Sequence, residues 1–110
     1  MKTTLTFGSA LVATAIAATY DVTIGPGLNY SPDSITAAEG DIVSFTFGSG
    51  HNVVSGSFDS PCQPDGTIYS GDGSDGDVFS VTINGTDPIW LYCSIPGHCQ
   101  GGMAMVINAP

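Results

Sequence analysis

Apolar and polar residues alternate in short runs along this chain, and glycine, proline, asparagine, aspartate or serine interrupts them. Tyr20-Asp21-Val22-Thr23-Ile24 is one such run, broken by Gly25-Pro26-Gly27. Ile42-Val43-Ser44-Phe45-Thr46-Phe47 follows the turn Glu39-Gly40-Asp41, and His51-Asn52-Val53-Val54 starts another run after Gly48-Ser49-Gly50. Val78 to Ile83 puts Phe79, Val81 and Ile83 on one side. Ile89-Trp90-Leu91-Tyr92 is apolar throughout and leads straight into Cys93, and Met103 to Ile107 closes the set. A strand points successive side chains to opposite faces, so a period of two buries one face and wets the other. The runs are rich in β-branched and aromatic residues, which fit a pleated, half-buried surface, and each is predicted to be a strand. No segment after residue 17 shows a helical period. Short strands separated by turn signals predict a single all-β domain, an antiparallel-rich β-sandwich. Asp59 to Asp77 has little apolar material and is predicted to be an irregular loop, with one short helical turn near Asp59–Gln63.

The first seventeen residues follow another pattern. Met1-Lys2 gives a positive start, an apolar run with small residues extends from Leu5 to Ile16, and Ala15-Ile16-Ala17 fits a small-residue cleavage site. This predicts a secretory signal peptide over residues 1–17, too short to span a membrane, and an extracellular location. A buried N-terminal helix is the competing reading. Cleavage after Ala17 leaves residues 18–110 as the domain, small enough for a disulfide or a metal to matter to its stability. No apolar tail follows Ile107, so no lipid-anchor signal is expected. Asn84-Gly85-Thr86 is an N-glycosylation acceptor in a predicted turn, and Asn29-Tyr30-Ser31 is a weaker match because Pro32 follows it.

Charge narrows the function. The chain has one basic residue, Lys2, against ten acidic ones, a formal net charge of −9. After loss of the leader no Lys or Arg remains. Nothing could then neutralise phosphate, which excludes nucleic acid and attraction to an anionic membrane. A charged partner is expected to be cationic. Acidity that merely keeps a secreted protein soluble is the plainer reading.

The chemistry concentrates in one loop. Tyr92-Cys93-Ser94-Ile95-Pro96-Gly97-His98-Cys99-Gln100-Gly101-Gly102-Met103 holds two cysteines, a histidine and a methionine among small and turn-forming residues. With Cys62 the chain has three cysteines, so in an oxidising compartment two are expected to pair and one to be left over. Either the loop holds a metal or it is a disulfide-pinned turn that contains a histidine. A thiolate, an imidazole and a thioether on one loop could converge on a point. One further imidazole, and His51 is the chain's other histidine, would complete the His₂Cys set with a weak axial methionine that suits blue copper. Soft sulfur favours Cu(I), imidazole accepts both oxidation states, and four protein ligands leave no easy position for substrate. The expected activity is outer-sphere electron transfer, not enzymatic bond chemistry. If Cys93 is the copper ligand, Cys62 and Cys99 remain to pair.

Cys93-Ser94-Ile95-Pro96-Gly97-His98-Cys99-Gln100-Gly101-Gly102-Met103 resembles the ligand loop of the phytocyanin-like cupredoxins, including the Pro-Gly-His-Cys core, and also the secreted cupredoxin domains of fungi. Tyr30-Ser31-Pro32-Asp33, Gly40 to Phe45 and Gly50-His51-Asn52-Val53-Val54 agree, so the resemblance covers essentially residues 18–110. It implies a Greek-key β-sandwich with one type 1 copper near one end. His51, Cys93, His98 and Met103 match its four copper-ligand positions, and Cys62 and Cys99 match its disulfide. His98 matches the histidine nearest the surface, the expected electron port. Met103 stands where stellacyanin-type members have Gln, which is similar to the plantacyanin type. The absence of Lys and Arg from residues 18–110 departs from many plant relatives, so the resemblance does not carry their partners over to this chain.

Other readings stay open at this stage. A Cys/His zinc site would need Cys62 or Cys99 reduced. A Cys93 nucleophile with His98 lacks a recognisable orienting group. A secreted or wall-surface module could hold copper without a redox partner. Met105 is expected in the core, and Asn52 is either a brace to the ligand loop or a turn-edge residue. A monomer is expected, exchanging electrons with a partner protein or a small-molecule reductant or oxidant.

Overall fold

Two four-stranded sheets face each other in the computed structural model, which describes residues 16–110. The leader expected over residues 1–17 lies outside the described residues except for Ile16 and Ala17. The strands are β1 (Thr19–Ile24), β2 (Tyr30–Ser31), β3 (Ser34–Ile35), β4 (Ile42–Phe47), β5 (Val54–Gly56), β6 (Val78–Thr82), β7 (Ile89–Tyr92) and β8 (Ala104–Ile107). One sheet has the order β2-β1-β4-β6 and the other β3-β8-β7-β5. From β2 to β7 each connection carries the chain to the opposite sheet, which stitches the two layers into one all-β domain.

The alternation read from the sequence is the burial pattern. Val22 and Ile24 of β1, Val43, Phe45 and Phe47 of β4, and Met105 and Ile107 of β8 point into the core, where Tyr30, Ile35, Val53, Ile83 and Leu91 join them. Each such side chain contributes roughly 1.5–3 kcal/mol by leaving water. Tyr30 meets the edge of Phe45, with ring centroids 6.5 Å apart.

The sandwich is antiparallel-rich, as the sequence predicts, with two parallel pairings, β1 with β4 and β3 with β8. The structure corrects the sequence reading in two places. The helical turn expected over Asp59–Gln63 is a series of bends and a tight turn. The strand expected at His51 begins at Val54; His51 itself makes only a single antiparallel bridge, to Gly73.

Strand direction sets the position of the site. β1 and β4 are in register from Thr19↔Ile42 to Ile24↔Phe47. Their C-terminal ends, the end of β7 and the start of β5 and β8 gather at one pole, which carries Gly25, His51, Cys93 and Met103. Ala18 and Asn108 lie beyond the opposite ends of β1 and β8.

Candidate metal centre

β7 delivers Cys93 to this pole, and the chain returns to β8 through residues 94–103. The return is a coil of backbone bonds. His98 N–H donates to the Ile95 carbonyl at 3.0 Å, Gly101 N–H to the Gly97 carbonyl at 3.0 Å, and Met103 N–H to the His98 carbonyl at 3.0 Å. Cys93 N–H donates to the Met103 carbonyl at 3.2 Å, closing the loop at its base. This winding folds His98 back over Cys93, with Nδ1 3.4 Å from Sγ. It also seats Met103, which is fully buried, in backbone contact with both.

His51 arrives from the connection between β4 and β5. Its Nδ1 lies 3.3 Å from His98 Nδ1 and 4.0 Å from Cys93 Sγ. The circle through these three donor atoms has a radius of about 2.1 Å, inside the roughly 2.0–2.3 Å range of metal bonds to imidazole nitrogen and thiolate sulfur. One point thus lies at bonding distance from two imidazole nitrogens and one cysteine sulfur, and the donor set is the one that suits copper. Cys93 is 0 % exposed and His51 5 %, while His98 is half-buried and closes the site toward solvent. Burial, and then the neighbouring His98, lowers the basicity of His51, which favours the neutral ring with a free lone pair.

Several neighbours hold the triangle. Gly25 packs behind His51: a Cβ there would meet His51 Nε2 at 3.1 Å and Cδ2 at 3.2 Å, and φ is +82°. Asn52, 1 % exposed, accepts from Ser94 N–H at 2.8 Å and donates to Ser94 Oγ and Asp72 Oδ1, both at 2.9 Å. It therefore ties the His51 segment to the residue after Cys93. Tyr30 OH donates to the Asn52 carbonyl at 2.7 Å, and burial raises its pKa so strongly that it stays a neutral donor. The second half of the long loop runs alongside. Ser70 N–H donates to the Val53 carbonyl at 2.9 Å, and Gly73 N–H to the His51 carbonyl at 3.1 Å. Gly73 has no room for a side chain, because a Cβ would sit 2.1 Å from the Phe47 ring.

Cys62 and Cys99 are joined as a disulfide, and Cys93 is the free cysteine. That is the pairing the resemblance implied, and it removes the second thiolate that a zinc reading needed. A fully buried Cys93 among imidazoles also offers no face to a substrate as a nucleophile.

The model for copper binding proteins of the plastocyanin/azurin family matches residues 16–109. The chain belongs to this family. It is a cupredoxin, and copper is its cofactor. It is 50% identical over 105 residues to the Arthroderma benhamiae protein named Probable GPI-anchored cupredoxin-1, covering 92% of this chain and 56% of that one. It is 42% identical over 110 residues to the Extracellular serine-rich protein of the same organism, covering 92% and 43%. Among solved structures, spinach plantacyanin superposes with a TM-score of 0.60 at 27% identity, covering 84% of this chain and all of that one. The chain spans about half the length of the curated relatives it matches. Cupredoxins are electron carriers, so the phytocyanin-like reading of the sequence stands at the level of family, fold and metal.

The structure brings His51, Cys93 and His98 together and places Met103 beside them. Asn52 is the brace that its position next to His51 suggested. Sequence reasoning missed Gly25, Tyr30, Asp72 and Gly73. Gly25 read only as a strand breaker, and Asp72 and Gly73 lay in a loop with no apolar pattern to give its course.

Proposed function

We propose that this cupredoxin is a secreted type 1 copper protein that carries single electrons in the extracellular space. Residues 1–17 are its leader and residues 18–110 its cupredoxin domain. In this reading His51 Nδ1, His98 Nδ1 and Cys93 Sγ would hold the copper, with the Met103 thioether as a fourth, weaker donor. Bound there, copper supplies a Cu(I)/Cu(II) couple. The protein's part is to present the same donors to both states: Asn52 and the coiled loop fix them, and burial of Cys93 and Met103 keeps water out. The half-buried His98 is the route by which the electron leaves. The observation that carries this reading is the donor triangle, sized for one metal ion.

An extracellular setting is supported by the printed names of the two Arthroderma relatives. Asn84 is exposed after β6, as a glycan acceptor must be. Asp59, Asp65, Asp72, Asp75 and Asp77 all belong to the long loop whose second half flanks His51, which suits a cationic redox partner.

The test is to add Cu(II) to the purified protein and record its visible spectrum and reduction potential. An intense thiolate-to-copper band with reversible one-electron cycling is expected. Cys93→Ser should lose the band and keep the fold; a blue Cys93→Ser protein would overturn the ligand set. Met103→Gln should lower the potential, because an oxygen ligand favours Cu(II), and an unchanged potential removes Met103 from the axial position. Copper held in a redox-silent form would instead favour a wall-surface copper-holding module.

A further inference from the structure

Ala18 is fastened on both of its backbone groups. Its N–H donates to Asp41 Oδ1 at 2.9 Å, and its carbonyl accepts from Ile42 N–H at 2.9 Å. Asp41 Oδ2 accepts from Ala38 N–H at 2.8 Å. Asp41 is buried just before β4, yet both of these partners are neutral amides. A carboxylate drawn out of water favours a cationic donor. Residues 18–110 contain no Lys and no Arg, so the one source of a fixed positive charge is an α-amino group at a new chain start. The sequence independently puts a small-residue cleavage pattern, Ala15-Ile16-Ala17, directly before Ala18. Ile16, Ala17 and Ala18 are all exposed, and of the three it is Ala18 whose N–H reaches Asp41.

We infer that Asp41 is the built receptor for the mature N-terminus: cleavage after Ala17 frees an Ala18 ammonium that pairs with the Asp41 carboxylate. In that step water adds across the Ala17–Ala18 amide under a leader-removing peptidase. Ala17 leaves as a carboxylate, and the Ala18 nitrogen takes up two protons to become an ammonium. The position that offered Asp41 one neutral N–H then offers a charged one. The amide donors of Ala18 and Ala38 already hold the Asp41 carboxyl below its usual range, so it is ionised when the ammonium forms. The inference rests on the secretory reading above and adds to it the cleavage point and the group that receives the new end. Cleavage one residue later would delete the donor.

The test begins with residues 1–110 expressed with their own leader in a secreting yeast. The N-terminal residue of the exported protein, read after enzymatic removal of any glycan at Asn84, is expected to be Ala18. A chain that keeps residues 1–17 or is not exported overturns the secretory reading. An exported chain that starts elsewhere overturns only the Asp41 receptor. The absence of lysine makes the second measurement clean, because the exported chain has a single amine. Its acetylation rate by an N-hydroxysuccinimide acetate is expected to be about tenfold slower in the native protein than in urea, the effect of about one unit in amine pKa. Asp41→Asn should bring the native rate back to the unfolded one. Equal native and unfolded rates in the parent protein, or a slow rate that persists in Asp41→Asn, overturn the pairing. Should Asp41→Asn not fold, the Nα-acetylated parent serves instead. Its unfolding constant is expected to rise about threefold, in the range of exposed ion pairs, and no rise overturns the pairing.

Discussion

Gly25 lies against the back of the His51 ring in a backbone conformation that L side chains avoid. Gly25→Ala is expected to act twice: strain at φ +82° costs about 1–2 kcal/mol of stability, and the new methyl tilts the imidazole. The measurement is the copper protein's electron paramagnetic resonance spectrum beside a urea melt. A changed hyperfine splitting together with a lowered midpoint is expected, whereas a surface glycine would change neither. Asn52→Ala should cost about 2–4 kcal/mol, since it removes three hydrogen bonds that this buried side chain makes to the exposed Asp72 and Ser94. It should also weaken copper retention against a chelator. The ligand types were legible in the sequence, because two histidines, a leftover cysteine and a spaced methionine are chemically conspicuous. Gly25 and Asp72 were not, because a glycine that must be small for a neighbour's sake looks the same as one that makes a turn.

Among the elements, five of the six apolar runs became strands and the sixth, His51–Val54, gives only Val54 to β5, while β2 and β3 are two residues each and too short to show a period. The parallel pairing of β1 with β4 was equally hidden, because alternation reveals which face is buried and not which strand lies alongside. The long loop is the chief case. It reads as irregular, yet Ser55 and Asp65 hold one part of it through a short hydroxyl-to-carboxylate bond, and Ser70 and Gly73 hold another against residues 51–53. The Cys62–Cys99 bridge ties its first half to the residue after His98, across a separation of 37 residues. Replacing both cysteines with serine should therefore cost about 4 kcal/mol in the chain-entropy account. Hydrogen exchange should quicken in residues 57–68 and 97–102 and stay slow in β4.

For the whole molecule, charge governs. At −9 the protein repels itself at neutral pH, so added salt should raise its melting temperature. The same salt should slow electron exchange with a cationic partner, and a rate indifferent to ionic strength would remove the electrostatic part of the partner proposal. Acid has its own window. Asp65 is held below the usual carboxyl range, first by the Ser55 hydroxyl and then by the Thr67 N–H. A pKa depressed in the folded state stabilises the protein above the unfolded value of about 4, and that contribution fades as pH falls through the folded value. Urea midpoints should thus fall below about pH 4. Asp65→Asn should be less stable than the parent at pH 7, by a margin that closes once Asp65 is protonated in the folded parent too.

The six residues of β1 separate Ala18 from Gly25 by about 20 Å, and β8 runs away from the ligand loop toward Asn108. Whatever is joined before Ala18 or after Pro110 must leave from the far side. A stalk or tether attached at that side would leave the metal site facing outward, and what such a copy could reach would be set by its swing, with no need to turn round.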